Sequence, residues 1–432
     1  MIKLYPFQAK LLENTHNLNK VGYYLDMGLG KSFVGSIKLK QLDGSINLVV
    51  CPKSMVEMWQ EHFTKYIDFE DFMVLDLTKT KNQEAFATST DKRIGIINYD
   101  LIYRRKAIQA IKYDTVLLDE SSIVQNRKTK RSKAILNLDH KNIILLSGTP
   151  CAGKYERLWS QLHLLGWDGD EQSYWQQYVR YHINTSMGFP LKIVDGYKNV
   201  PRLKSQMRQL GCRFLKSDEV LDLPAQNFND IKIEPTREYN KFRSYRIVTV
   251  DGTTLVGDTT LTKLLYERVL CGHYNKHKLT ALRDLLQSTD DRVVVFYNYN
   301  DELKAIEDIC LELDKPVSIV NGYSKDLSMY NEYNNSVTLI QYQAGAHGLN
   351  LQLANKMVYF TPPLSCELWM QSQKRINRLG QARPCFYYRL MVRGSVECKI
   401  YAALESGVDY TNALFAQDER GGVRRNEAGE SI

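Results

Sequence analysis

A chain of 432 residues, 44% hydrophobic and 25% charged, has the make-up of a globular protein and enough length for two or three separate cores. No apolar run approaches the roughly 18 residues of a membrane span, and residues 1–6 lack the hydrophobic stretch of a secretion signal. The net charge of +8 permits a polyanionic partner without requiring one, and the eight scattered cysteines form no Cys-x-x-Cys pair, which argues against structural zinc or a disulfide framework and for a reducing cytosol.

In chain order, short apolar runs at 47–51, 93–98, 115–118 and 142–146 read as buried strands, with helical patterns between them. A second set follows at 292–297, 317–320, 337–342 and 356–360. Strands alternating with helices predict two α/β halves, each a parallel sheet covered by helices. The stretch 151–223 is aromatic, helical in pattern and poor in strands, so it reads as a small helical insertion or extension of the first half. Residues 224–260 hold Pro224, Pro235, Asp251-Gly252 and Gly257-Asp258 and read as the crossing between the halves. The end of the chain, from about 416 to 432, is polar and reads as disordered.

The chemistry is concentrated in a few places. Gly28-Leu29-Gly30-Lys31-Ser32 precedes a helical run. Glycines at 28 and 30 let backbone N–H groups close around phosphate oxygens, and a following helix N-terminus favours an anion. Lys31 has the reach for the β- and γ-phosphates, and Ser32 for Mg²⁺. A glycine turn with a surface lysine is the plain alternative. Four strand-forming residues then deliver Asp119 and Glu120 to a sheet edge, where Asp119 suits Mg²⁺ and Glu120 suits activation of the attacking water. Ser147-Gly148-Thr149-Pro150 again ends an apolar run, with Ser147 and Thr149 placed to sense the γ-phosphate or to hold the acidic pair. In the second half the loop 344–351 has glycines but no lysine, so it is no second phosphate cradle. Residues 371–381 read as a helix ending near Gly380, which puts Arg375 and Arg378 three apart on one face. Arginines so placed are usually a solvated surface; in a motor they supply charge to the transferring phosphoryl group.

These residues together resemble the Swi/Snf-type ATPases of helicase superfamily two, in their compact bacterial or phage form. The likeness runs from Leu4 to about Leu404. Leu4-Tyr5-Pro6-Phe7-Gln8 is similar to the family's adenine-reading segment, with Gln8 as the implied base contact. Asp26 to Ser32 is close to its Walker A, 49–59 to motif Ia, and Asn98-Tyr99 to motif Ib. Asp119-Glu120 falls at motif II, Ser147 to Pro150 at motif III, and 203–224 at the segment leading out of lobe one. The loop 344–351, with Gly348 as a nucleotide contact, matches motif V. The run 371–381, ending Arg378-Leu379-Gly380-Gln381, matches motif VI and is the most family-specific signal. Ser121 and Ser122 replace the family's Ala-His or Gly-His after the acidic pair, and Ala346 replaces a usual glycine.

The resemblance implies two tandem RecA-like lobes, residues 1–225 (with the helical extension at 151–223) and 226–415, followed by the tail 416–432. It implies a DNA-dependent ATP hydrolase that uses ATP and Mg²⁺ and translocates along double-stranded DNA as its lobes open and close. Glu120, Lys31, Arg375 and Arg378 would be catalytic, with Arg378 as arginine finger. Duplex DNA would be gripped by its backbone through Lys53 and Ser54 and through Arg127, Lys128, Lys130 and Arg131 in the basic run after motif II. A charge run is more often a solvated face. The expected setting is a monomer, free of membranes, in a bacterial or phage-infected cytoplasm, with replication or recombination proteins as partners. Two alternatives stand beside this reading: a strand-separating DNA or RNA helicase, and a non-catalytic DNA-binding clamp.

Overall fold

The computed structural model describes residues 4–67, 69–151, 153–185, 190–345, 349–407, 409 and 411. The chain divides into two compact units between Asp222 and Leu223.

The first unit is built on seven parallel strands: β1 (Lys20–Leu25), β2 (Ile46–Cys51), β3 (Met73–Asp76), β4 (Arg93–Asn98), β5 (Tyr113–Asp119), β6 (His140–Ser147) and, later in the chain, β9 (Cys212–Leu215). They lie in the order β3-β4-β2-β5-β6-β1-β9. Successive residues of a strand face opposite sides, and here both sides are covered. Leu48, Val50, Leu118 and Leu145 enter one core; Val49, Cys51, Leu117 and Leu146 enter the other. This two-sided burial explains why these strands read as continuous apolar runs.

The segment expected to be a helical insertion does carry helices, at Trp159–Leu164, Glu171–Tyr178 and Val200–Gln209. It also holds the antiparallel hairpin of β7 (Val179–Asn184) and β8 (Leu191–Tyr197), and β9, which joins the main sheet beside β1. The hairpin faces are largely exposed, so no apolar period marks them.

The second unit has a six-stranded parallel sheet in the order β10-β17-β16-β13-β15-β14. Its strands are β10 (Gln226–Ile233), β13 (Val293–Tyr297), β14 (Val317–Val320), β15 (Val337–Gln341), β16 (Lys356–Tyr359) and β17 (Cys385–Val392). Val294, Phe296 and Ile340 pack on one face; Val293, Val295 and Leu339 pack on the other. Residues 224–260 are therefore not a simple crossing. They contain β10, paired with β17 along its whole length, helix Arg237–Tyr245, and the hairpin of β11 (Ile247–Val250) and β12 (Thr253–Val256). β10 is polar and mostly exposed because it is an edge strand held by backbone pairing. No described helix is long and apolar enough to cross a membrane.

Candidate active site

Three expected motifs meet because of strand order. β5, β6 and β1 are neighbours, and each ends in a chemically loaded turn: Asp119-Glu120, Ser147 to Pro150, and the glycine loop. Parallel α/β sheets bind ligands at this C-terminal edge.

The glycine loop turns through two left-handed residues, Gly28 (φ 87°) and Gly30 (φ 71°), a conformation that costs glycine nothing. Helix Lys31–Gln41 starts immediately, so Lys31 and Ser32 occupy its first turn. Lys31 Nζ donates to the Leu25 carbonyl at 3.2 Å. A Cβ placed on Gly148 would lie 3.3 Å from that Nζ, so the loop after β6 runs directly against the lysine. Within that loop the Thr149 N–H donates to Ser147 Oγ at 3.2 Å.

Gln8 closes the loop from behind. Helix Pro6–Glu13 begins with Gln8 Oε1 accepting from the Tyr5 N–H at 3.0 Å, while Nε2 donates to the Leu29 carbonyl at 2.9 Å. A primary amide keeps one donor and one acceptor position beyond these two bonds.

Asp119 is buried at the end of β5. Trp59 Nε1 donates to its Oδ2 at 2.9 Å, the Glu120 N–H lies 3.1 Å from its Oδ1, and Tyr99 Oη donates to its backbone carbonyl at 2.9 Å. Burial and the neighbouring Glu120 charge push its pKa up to about 6, against the pull of Trp59 and Lys31. Glu120 has a left-handed backbone (φ 51°, ψ 55°), and its Oε2 is buried without a hydrogen-bond partner among the described residues. A non-glycine residue held in that conformation costs of order 1–3 kcal/mol and is a frequent mark of a functional turn.

Trp59 and Tyr99 fall within the stretches that resemble motifs Ia and Ib, and nothing in those motifs assigns them a role. Their service to Asp119 depends on a fold that brings residues 60 and 20 positions away onto one carboxylate. Asp26 is a further case. Its Oδ2 accepts from both the N–H and the Oγ of Ser217 at 3.0 Å, tying the glycine loop to the chain after β9.

The basic run also acquires geometry. Thr129 caps helix Lys130–Leu136, and Lys130 and Arg131 sit in its first turn, where cations oppose the helix dipole. They are not placed there to stabilise the helix. Lys53, Ser54, Lys128 and Lys130 are exposed. Arg127 is partly committed, paired with Glu171 at 2.5 Å and stacked over Trp159 at 5.3 Å, and Arg131 approaches Asp100 at 3.6 Å.

In the second unit the expected motif VI helix stops early, at Gln373. Arg375 and Arg378 lie in the turn that follows, not on a helical face, yet they still converge. Arg378 Nη1 donates to the Leu349 carbonyl at 3.0 Å and Arg375 Nη1 approaches the same oxygen at 3.4 Å. The turn is held by Gln381, whose Nε2 reaches the carbonyls of Ala354 at 2.8 Å and of Gln352 and Ile376 at 3.2 Å. Trp369 is a core residue, buried 4.4 Å from the Tyr359 ring. Gly348, expected to touch nucleotide, and Ala346 lie outside the described residues, as does the tail 416–432. Among the described residues no cluster of three or more His, Cys, Asp or Glu forms a metal cage.

Residues 23–276 match the SNF2-related domain. The chain belongs to the SNF2-related family. Residues 277–380 of this SNF2-related chain match the helicase conserved C-terminal domain. It is 24% identical over 425 residues to the ISWI chromatin-remodeling complex ATPase ISW2 of Saccharomyces cerevisiae, covering 87% of this chain and 37% of that protein. It is 22% identical over 422 residues to the putative ATP-dependent helicase/translocase YwqA of Bacillus subtilis, covering 88% of this chain and 45% of the relative. The chain thus spans less than half the length of both relatives. A solved Sulfolobus solfataricus SWI2/SNF2 ATPase core in complex with dsDNA is 20% identical, with 96% of this chain and 92% of that one covered and a TM-score of 0.46.

Proposed function

We propose that this SNF2-related chain is a DNA-dependent ATPase that moves along double-stranded DNA and remodels DNA or protein–DNA complexes without separating strands. The observation that carries the reading is the convergence of Lys31, Asp119, Glu120 and the 147–150 loop at the ends of three adjacent strands. In this reading Lys31 holds the β- and γ-phosphates, Glu120 orients and deprotonates the attacking water, and Arg378, with Arg375 beside it, supplies positive charge to the transferring phosphoryl group. Gln8 reads the base with the amide positions left over from the chain.

Ser32 and Asp119 suit Mg²⁺. A buried carboxylate next to a second one gains from a cation, and Mg²⁺ commonly takes one or two protein ligands with substrate phosphates and waters. When bound, the ion neutralises phosphate charge. Exposed Lys53, Ser54, Lys128 and Lys130, with Arg127 and Arg131, contact the duplex backbone, so binding is independent of sequence. The division of labour between residues 1–225 and 226–415, the monomeric state, the cytoplasmic setting and the replication or recombination partners belong to the same proposal.

The deciding experiment measures ATP turnover with duplex DNA, single-stranded DNA and RNA, alongside Lys31→Ala, Glu120→Gln and a strand-displacement assay. Duplex-stimulated turnover lost in both variants, without strand displacement, is expected. Turnover in folded Lys31→Ala would misplace the nucleotide site, and displaced strands would favour the helicase reading.

A further inference from the structure

The turn that carries Glu120 is tied to the loop after β6 by a side chain from neither. Gln161 lies in helix Trp159–Leu164 and is fully buried. Its Oε1 accepts a hydrogen bond from Ser121 Oγ at 2.9 Å, and its Nε2 donates to the Pro150 carbonyl at 2.7 Å. Ser121 directly follows Glu120 and is also fully buried; Pro150 closes the loop that runs against Lys31. A glutamine among Leu158, Leu162 and Leu164 is costly to bury unless both ends of its amide are paired. Here the two partners are the two turns that flank the hydrolytic centre.

Glu120 depends on such support. Its carboxylate Oε2 is buried with no hydrogen-bond partner among the described residues. Its aim is set by the left-handed backbone, and that backbone is fixed by what comes next: the Ile123 N–H donating to the Glu120 carbonyl at 3.0 Å, and Ser121 anchored on Gln161. Where the family pattern has alanine or glycine at this position there is no hydroxyl to donate. The bridge therefore follows from this chain's own Ser121.

We propose that Gln161 is a positioning residue for ATP hydrolysis, holding the 120–121 turn in register with the 147–150 loop through Ser121. The proposal rests on the reading of Glu120 as the water-activating carboxylate. Gln161 touches neither nucleotide nor water; it acts by keeping Glu120 aimed.

The test uses the full chain, with ATP turnover measured at limiting and saturating ATP in the presence of duplex DNA. Ser121→Ala removes the donor at nearly constant volume, and Gln161→Leu removes both bonds at similar shape. Each is expected to lower kcat by about ten- to thirtyfold, with KM for ATP within about twofold of the parent. The double variant is expected to be no slower than Gln161→Leu alone, because one bridge cannot be broken twice. A packing role alone would lower the melting temperature and leave kcat per folded molecule unchanged, and that result overturns the proposal. So do losses that multiply in the double variant. If Gln161→Leu fails to fold, Ser121→Ala decides: unchanged kcat overturns, and reduced kcat at constant KM supports. An inert parent protein would sink the ATPase reading itself. An active parent, a dead Glu120→Gln and an unimpaired Ser121→Ala would sink only the role of Gln161.

Discussion

Replacing Gly30 by alanine is expected to destabilise the first unit by about 2–4 kcal/mol, from two additive effects. Gly30 sits at φ 71°, where a Cβ costs about 1–2 kcal/mol. The added Cβ would also lie 2.5 Å from Gln8 Nε2, well inside contact distance. Gln8 has little freedom to retreat, because its amide holds the Leu29 carbonyl at 2.9 Å and the Tyr5 N–H at 3.0 Å. Giving up those bonds costs about 1 kcal/mol each. Gly153 isolates the first effect: it is left-handed at φ 78°, but an added Cβ there meets nothing within 4 Å. Gly153→Ala should therefore cost about 1–2 kcal/mol and leave nucleotide binding intact. Urea denaturation of both variants gives the two free energies, and a fluorescent ATP analogue reports the loop. Adding Gln8→Ala to Gly30→Ala should relieve part of the excess, since the clash partner is gone. Equal destabilisation in Gly30→Ala and Gly153→Ala would refute the view that Gln8 is locked against the loop.

On the proposed arginine-finger role, Arg378→Ala should leave nucleotide affinity within about threefold and cut turnover by about a thousandfold or more, since such a charge acts mainly in the transition state; full duplex-stimulated turnover would remove Arg378 from catalysis. Lys278 and Glu397 form a fully buried pair at 2.6 Å, so Lys278→Met strands a carboxylate and should cost about 3–5 kcal/mol in chemical denaturation. Adding Glu397→Gln should recover part of that loss, and an unaltered midpoint in the single variant would contradict the argument. His62 is buried against Phe33 and Trp59, and burial lowers its pKa to about 4. An unfolded histidine titrates near 6.5, so between these values the unfolded chain binds the extra proton. The stability contributed by the neutral ring is complete above pH 6.5 and is lost as pH falls through 4, amounting to about 3 kcal/mol. Urea melts at pH 7 and 4.5 should show His62→Phe losing about 2–3 kcal/mol less than the parent over that interval; parallel losses would show that His62 is not the group responsible.

What could be read from the chain follows burial. β2, β4, β5 and β6 are covered on both faces, so their apolar runs stand out, and the loaded turns at their ends are visible with them. β10 is polar and exposed, and its partner β17 lies 159 residues downstream, so nothing local marks it as a strand. The motif VI turn reads as helix in the sequence for a related reason. Its polar residues satisfy the helical spacing, but Gln381 binds the distant carbonyls of Gln352 and Ala354 and the nearby one of Ile376, Asn377 Nδ2 binds the Pro224 carbonyl at 3.0 Å, and these side-chain bonds outcompete the helix. Lys31, Asp119 and Glu120 stand out in the sequence because short motifs mark them, and the fold brings those motifs to neighbouring strand ends. The supports of Asp119 and Ser121 were not, because Trp59 and Gln161 reach them only through the folded sheet.

The pairing of β9 with β1 limits where the chain can be cut. Gly22 to Leu25 are matched one for one with Cys212 to Leu215, and Asp26 is then fastened to Ser217. A proteolytic or engineered fragment ending near residue 210 would strip β1 of its outer neighbour. The strand leading into the glycine loop would become a bare edge, open to pairing with another copy. Such a fragment should self-associate even though every residue of the glycine loop is present, whereas one extended past Ser217 keeps that edge sealed.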